Sequence, residues 1–143
     1  MTLLLDTNVV SELRKAKTGK INPNIKAWAQ SVSPSDLFLS AITLLELEMG
    51  IGLIERRDPA QAALLRTWLN HHVLPAFEGR ILAVDSAVAL CCGKLHVPDP
   101  RAERDALIGA TALVHNMVVV TRNVEDFEPL GVKILNPWEY SAK

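Results

Sequence analysis

Four carboxylates stand out by where they fall along the chain: Asp6, Glu46, Asp105 and Asp126. Aspartate and glutamate belong on solvated faces unless they are paired or bind metal. Asp6, however, directly follows the apolar run Leu3-Leu4-Leu5. At helical spacing, Glu46 shares a face with Ile42, Met49, Gly50 and Leu53, and Asp105 with Ile108, Gly109, Ala112 and Asn116. Asp126 comes shortly after the apolar run Met117-Val118-Val119-Val120. Carboxylates that converge without cationic partners repel one another. A divalent cation relieves that repulsion, and hard oxygen donors suit Mg²⁺ or Mn²⁺. Each acid, taken alone, also reads as a helix cap: the dipole favours acids in first turns, Thr43-Leu44-Leu45-Glu46 matches a capping box, and Asp105 lies near a helix start. Caps, though, require neither an apolar face nor a common edge.

The elements that must position these acids follow from the hydrophobic pattern. Leu3-Leu4-Leu5, Leu37-Phe38-Leu39-Ser40, Ile81-Leu82-Ala83-Val84, Met117-Val118-Val119-Val120 and Val132-Lys133-Ile134-Leu135 read as short strands. The first does not alternate, as expected of a strand buried on both faces. Between them lie helical segments. One is capped by Asn8 and fades near Lys15; a second is capped by Asn22 with Pro23 in its first turn. Further helices run from Ala41 to about Arg56, from Asp58-Pro59 to His71-His72 or Pro75, from Asp85-Ser86 to Leu95, and from Ala102 to His115. Asn123 to Pro129 reads as a polar turn. Alternating strands and helices predict an α/β fold of three layers (α/β/α), with a short parallel sheet flanked by helices. Ligands of such sheets bind at the carboxyl ends of strands, which is where Asp6 falls. No repeat or linker divides the chain, so a single domain over 1–143 is expected.

Composition narrows the function classes. The 143 residues are 49% hydrophobic and 22% charged, with a formal net charge of −1. No global basic field exists to hold a nucleic acid, so an RNA or DNA substrate would depend on local cations such as Arg14, Lys15, Lys17 and Arg122, or on bound metal. Cys91 and Cys92 are adjacent and have no metal spacing, as befits small core residues in a reducing compartment. His71 and His72 would point about 100° apart on a helix and so do not suit one ion; His96 and His115 lack companions. With no signal-like start and no apolar run of about 18 residues, a cytoplasmic protein that makes no use of a membrane is expected.

The same residues carry a resemblance. Leu4-Leu5-Asp6-Thr7-Asn8-Val9-Val10-Ser11-Glu12-Leu13, Ser40-Ala41-Ile42-Thr43-Leu44-Leu45-Glu46-Leu47, Asp105-Ala106-Leu107-Ile108-Gly109-Ala110-Thr111-Ala112 and Val120-Thr121-Arg122-Asn123-Val124-Glu125-Asp126-Phe127 resemble, in order, the four motifs of the PIN-domain nucleases. Ile134-Leu135-Asn136-Pro137-Trp138 is similar to the VapC and FitB branch of that family. The resemblance implies a PIN-like fold and the toxin of a type II toxin–antitoxin pair. Such a protein is a Mg²⁺-dependent endoribonuclease, is held in check by a small DNA-binding antitoxin, and is commonly a homodimer. Residue by residue, it makes Asp6, Glu46 and Asp105 catalytic metal-site acids. Many relatives carry the fourth acid where Asn123 stands and others where Asp126 stands; Asp126 is taken here as the acid and Asn123 as a residue that orients water. Such a site binds a phosphodiester oxygen and activates a water that attacks phosphorus in line, with Glu46 or Asp105 available as general base. Asn8, Ser11 and Thr121 are expected to aim the carboxylates.

Two other readings compete. In a haloacid-dehalogenase-like phosphatase Asp6 would be the nucleophile, but that family needs an acid two residues on, and Asn8 stands there. In a non-catalytic interaction module the acids would serve only as caps. Gly50 and Gly52 would then allow close helix packing, and Trp28 and Leu13 would be exposed for a partner.

Overall fold

A computed structural model describes residues 1–141, so the last two residues of the expected 1–143 domain lie outside the described part. Five strands form one sheet: β1 (Leu3–Leu5), β2 (Leu37–Ser40), β3 (Ile81–Leu82), β4 (Val118–Val120) and β5 (Lys133–Leu135). Their spatial order is β3-β2-β1-β4-β5, and all neighbours are parallel. β1 is central. It pairs Leu3 with Leu37 on one side, and Leu3, Leu4 and Leu5 with Val118, Val119 and Val120 on the other. The chain steps from β1 outward to β3, then returns to the opposite side of β1 for β4 and β5. The order therefore reverses between β1 and β4, which makes the crevice above their carboxyl ends the topological switch point where open α/β sheets bind ligands.

Among the described residues, eight α-helices complete the layers: α1 (Thr7–Leu13), α2 (Pro23–Ser31), α3 (Ala41–Glu55), α4 (Pro59–Trp68), α5 (Leu74–Ala76), α6 (Ser86–Leu95), α7 (Glu103–His115) and α8 (Val124–Phe127). A π-helical stretch, Leu69–Val73, joins α4 to α5. Side chains of a strand alternate between faces, and β1 sorts its three leucines accordingly. Leu3 and Leu5 pack into one core with Val9, Val10, Trp28, Leu47, Ile51 and Leu65, from α1 to α4. Leu4 packs into the other with Ile108, Ala112, Phe127 and Leu130, from α7 and the segment after β4. All three leucines are fully buried, each contributing about 1.5–3 kcal/mol of transfer free energy. The α/β/α sandwich expected from sequence is the fold observed.

Local differences have physical causes. Helix α1 begins one residue after β1, so its N-cap is Asp6 and not Asn8. Asp6 is extended (φ −71°, ψ 159°) and its carboxylate accepts the Thr7 N–H. The capping box at Thr43 does not form, because Ser40 already caps α3 through the Ile42 N–H and Thr43 lies inside the helix. The third strand pairs only at Ile81 and Leu82, and the polar turn after Asn123 winds into α8 and a 3-10 turn, Glu128–Leu130. Trp28, which the interaction-module reading would expose, is 1% exposed and is among the largest core side chains. The Glu46 face of α3 is split: Ile42 is buried in the second core, whereas Met49 and Leu53 are exposed.

Where α7 crosses the segment after β4, Gly109 permits the close approach. A Cβ there would fall 2.7 Å from Leu130 Cδ1, so the small-residue face beside Asp105 is what lets α7 lie against the second core. Arg80 fixes the opposite sheet edge by donating to the carbonyls of Pro34, Leu37 and Ala76.

Candidate active site

Asp6 is 5% exposed and both of its carboxylate oxygens are engaged. Oδ1 accepts the Thr7 N–H at 2.8 Å, while Oδ2 accepts the Thr121 hydroxyl at 2.8 Å and the Asn8 amide at 3.1 Å. Its own N–H donates to the Val120 carbonyl at 2.9 Å, extending the β1–β4 ladder by one rung. Thr121 follows β4, so the two strands flanking the switch point supply an acid and the hydroxyl that aims it. Thr121 Oγ1 also accepts the Asn123 N–H at 2.9 Å, and Asn8 Oδ1 accepts the Arg122 N–H at 3.3 Å. This network ties the loop after β4 to α1. Burial raises the Asp6 pKa, against the Thr121 and Thr7 hydrogen bonds that hold it down.

Glu46 arrives from α3. Its Oε1 accepts the Thr7 hydroxyl at 2.6 Å, so Thr7 contacts Asp6 through its N–H and Glu46 through its side chain. Thr7 was not anticipated from sequence. The adjacent Asp6-Thr7 pair offered a hydroxyl, but nothing in the primary structure links it to α3. Glu46 Oε2 faces Arg104, whose Nε stands 3.6 Å away.

Asp105 enters from the first turn of α7, half-buried. It makes no cap: the N-cap position is Ala102, which has no side-chain cap bond. Its carboxyl is pushed up to about 6, first by burial and then by the negative charges of Asp6, Asp126 and Glu46, with Arg104 opposing. The other three acids thus lie near enough to Asp105 for their charges to oppose its ionisation. Glu46 and Asp105 line one cleft of about 400 Å³; Asp105 and Asp126 line a second of about 280 Å³. Asp126 is exposed. Asn123 lies beside it in a third cleft, with Arg122 and Glu139. Among the described residues, no three such side chains stand close enough together to chelate one ion as they are placed. Ser11 has no hydrogen bond to an acid among the described residues and lines a neighbouring groove with Thr7, Glu46 and Trp68.

The expected cations are used differently. Lys15 pairs with Glu12 at 3.1 Å, Arg14 lies over the Trp68 ring, and Arg122 lies over the Trp138 ring, at 5.3 Å, beside the acids. His71 and His72 are exposed. His96 accepts the Arg101 N–H and faces the Cys92 thiol.

The family model for the PIN domain matches residues 3–131. The chain belongs to the PIN-domain family. Toxin FitB of Neisseria gonorrhoeae is 36% identical over 142 residues, covering 95% of this chain and 98% of the relative. A VapC ribonuclease of Sinorhizobium fredii is 35% identical over 142 residues, covering 96% and 98%. Among solved structures, the FitAcB crystal structure from Neisseria gonorrhoeae superposes with a TM-score of 0.86 at 34% identity, covering 96% of this chain and 99% of that one. A DNA-bound VapBC from Salmonella typhimurium, at 24% identity and a TM-score of 0.69, shares the fold. In this PIN domain, as the first motif suggested, the acid at position 6 lies at the end of the central strand.

One consequence concerns stability. A carboxyl whose folded pKa is raised holds its proton more tightly in the native state. The resulting penalty is absent below the ordinary carboxylate range and fully present above about 6. Undiluted, it would be worth roughly 3 kcal/mol, which solvent screening at a half-exposed group reduces to about 1 kcal/mol. With chelator present, Asp105→Asn should raise the thermal midpoint at pH 7.5 by roughly 2–4 °C, and the gain should vanish near pH 4. A midpoint at pH 7.5 that is unchanged or lowered would contradict the raised Asp105 carboxyl.

Proposed function

We propose that this PIN domain is a divalent-metal-dependent endoribonuclease and the toxin of a type II toxin–antitoxin module. One observation supports the reading: Thr7 bonds to both Asp6 and Glu46, Glu46 and Asp105 line one cleft, and Asp105 and Asp126 line the next. All four acids are hard oxygen donors, the set that Mg²⁺ or Mn²⁺ prefers. Glu46 would offer Oε2, the oxygen that Thr7 leaves open, and the exposed Asp126 would close on the ion by side-chain rotation. A divalent ion bound there would bind a phosphodiester oxygen, lower the pKa of a water and offset charge on the leaving oxygen.

The chain's own residues do the positioning. Thr121, Asn8 and the Thr7 N–H fix both oxygens of Asp6, and the Thr7 hydroxyl fixes one oxygen of Glu46, so neither carboxylate must reorganise when charge develops. Asn123 flanks Asp126 as a neutral donor to water or substrate. Arg122 supplies local positive charge for the RNA backbone, which a net charge of −1 does not. In the phosphatase reading an acid would stand at position 8; Asn8 instead donates to Asp6.

A protein partner is part of the proposal. Leu45, Met49 and Leu53, at helical spacing on α3, form an exposed apolar stripe suited to an antitoxin or a second copy of the chain. The names of the FitAcB and VapBC complexes support the antitoxin, and a cytoplasmic setting follows from an RNA substrate. The test is product chemistry. Water attack with a departing 3′ oxygen leaves 3′-hydroxyl and 5′-phosphate ends. Single-stranded RNA cut by the purified protein with Mg²⁺ should carry those ends; 2′,3′-cyclic phosphates would overturn the reading.

A further inference from the structure

Three arginines illustrate three degrees of satisfaction. Arg66 donates through one nitrogen, Nη1, to both oxygens of Glu48 at 2.9 and 3.0 Å, and Arg80 donates to three backbone carbonyls. Arg104 is different. It stands in the acidic cleft beside Asp105, yet its contact with Glu46 Oε2, at 3.6 Å, is longer than a hydrogen bond. Its Nη1 reaches only the thioether of Met49, at 3.3 Å, a weak acceptor. The side chain is about half exposed. A guanidinium has five donors in a rigid fork, and here most lack a strong acceptor among the described residues. It faces the one Glu46 oxygen that Thr7 leaves open.

We propose that Arg104 is an exchangeable counter-ion that holds Glu46 Oε2 in the metal-free protein and, once a divalent ion takes that oxygen, binds a phosphate of the RNA. The inference rests on the metal-dependent nuclease reading above. Two charges compete for one carboxylate oxygen, and the looser contact yields. The released guanidinium then projects from the first turn of α7 into the cleft that Glu46 and Asp105 line, where a backbone phosphate matches its bidentate geometry. Arg104 thus lowers metal affinity and raises substrate affinity at the same site.

Calorimetric titration with Mn²⁺, alongside steady-state cleavage of a single-stranded RNA, tests both halves. Arg104→Gln should bind Mn²⁺ about fivefold more tightly than the unaltered protein, because a nearby positive charge is gone. Its KM for RNA should rise about tenfold while kcat changes less. Arg104→Lys keeps the charge, so its Mn²⁺ affinity should stay within about twofold of the unaltered protein while its KM still rises, since Lys lacks the planar fork. A purely structural arginine would not separate these two variants in metal binding. Mn²⁺ affinity in Arg104→Gln that is unchanged or weaker, or an unchanged KM, would overturn the proposal. Failure of the unaltered protein to bind Mn²⁺ would instead remove the metal site on which it rests.

Discussion

Replacing Asp6 with Asn should reduce RNA cleavage by at least about a thousandfold, roughly 4 kcal/mol of transition-state stabilisation, while leaving the fold intact. The substitution is isosteric. Asn at position 6 can still accept the Thr7 N–H through its carbonyl oxygen and so still cap α1. What it loses is the negative charge and one of the two oxygens that Thr7, Thr121 and Asn8 hold in place. Burial raises the Asp6 pKa, so a neutral side chain is cheaper to keep there and the thermal midpoint should not fall by more than a few degrees. Cleavage assays and thermal melts on the same preparation separate the two effects. Retained cleavage would make Asp6 a cap and nothing more, as the interaction-module reading holds.

The second large effect is on stability. Trp28→Ala should cost about 3–5 kcal/mol and lower the thermal midpoint by roughly 10 °C. Trp28 is 1% exposed and packs in the same core as Leu3, Leu5 and Val9. Truncating it leaves a cavity in that close-packed core. Were Trp28 a surface anchor for a partner, the melt would hardly move and only partner binding would suffer. Chemical or thermal denaturation of the isolated chain distinguishes these outcomes.

These two residues also mark how far sequence reasoning reached. The sheet and its helices were legible because each strand is a short apolar run between helical segments with clear caps, as at Asn22-Pro23 and Asp58-Pro59. The apolar face that carries Asp105 was legible because Ile108, Gly109 and Ala112 recur at helical spacing, and the structure buries all three. Elsewhere the local pattern was ambiguous. Trp28 on an amphipathic helix can face either way until the sheet is in place. The Asn8 cap shifted to Asp6 because no loop separates β1 from α1, and the box at Thr43 was pre-empted by Ser40 three residues earlier. Thr7 and Arg104 escaped notice because each finds Glu46 only through the tertiary fold. The Glu46 face of α3, read as apolar surroundings, is an exposed stripe at Met49 and Leu53. A helical wheel cannot tell core from interface.

The central claim is that four carboxylates at the β1–β4 crevice work through a divalent ion. Its most direct test is chelation and restoration on one sample. Purified protein should cleave single-stranded RNA with Mg²⁺ or Mn²⁺, stop when EDTA is added, and resume when excess Mg²⁺ or Mn²⁺ is returned. Cleavage that continues undiminished in EDTA would contradict it.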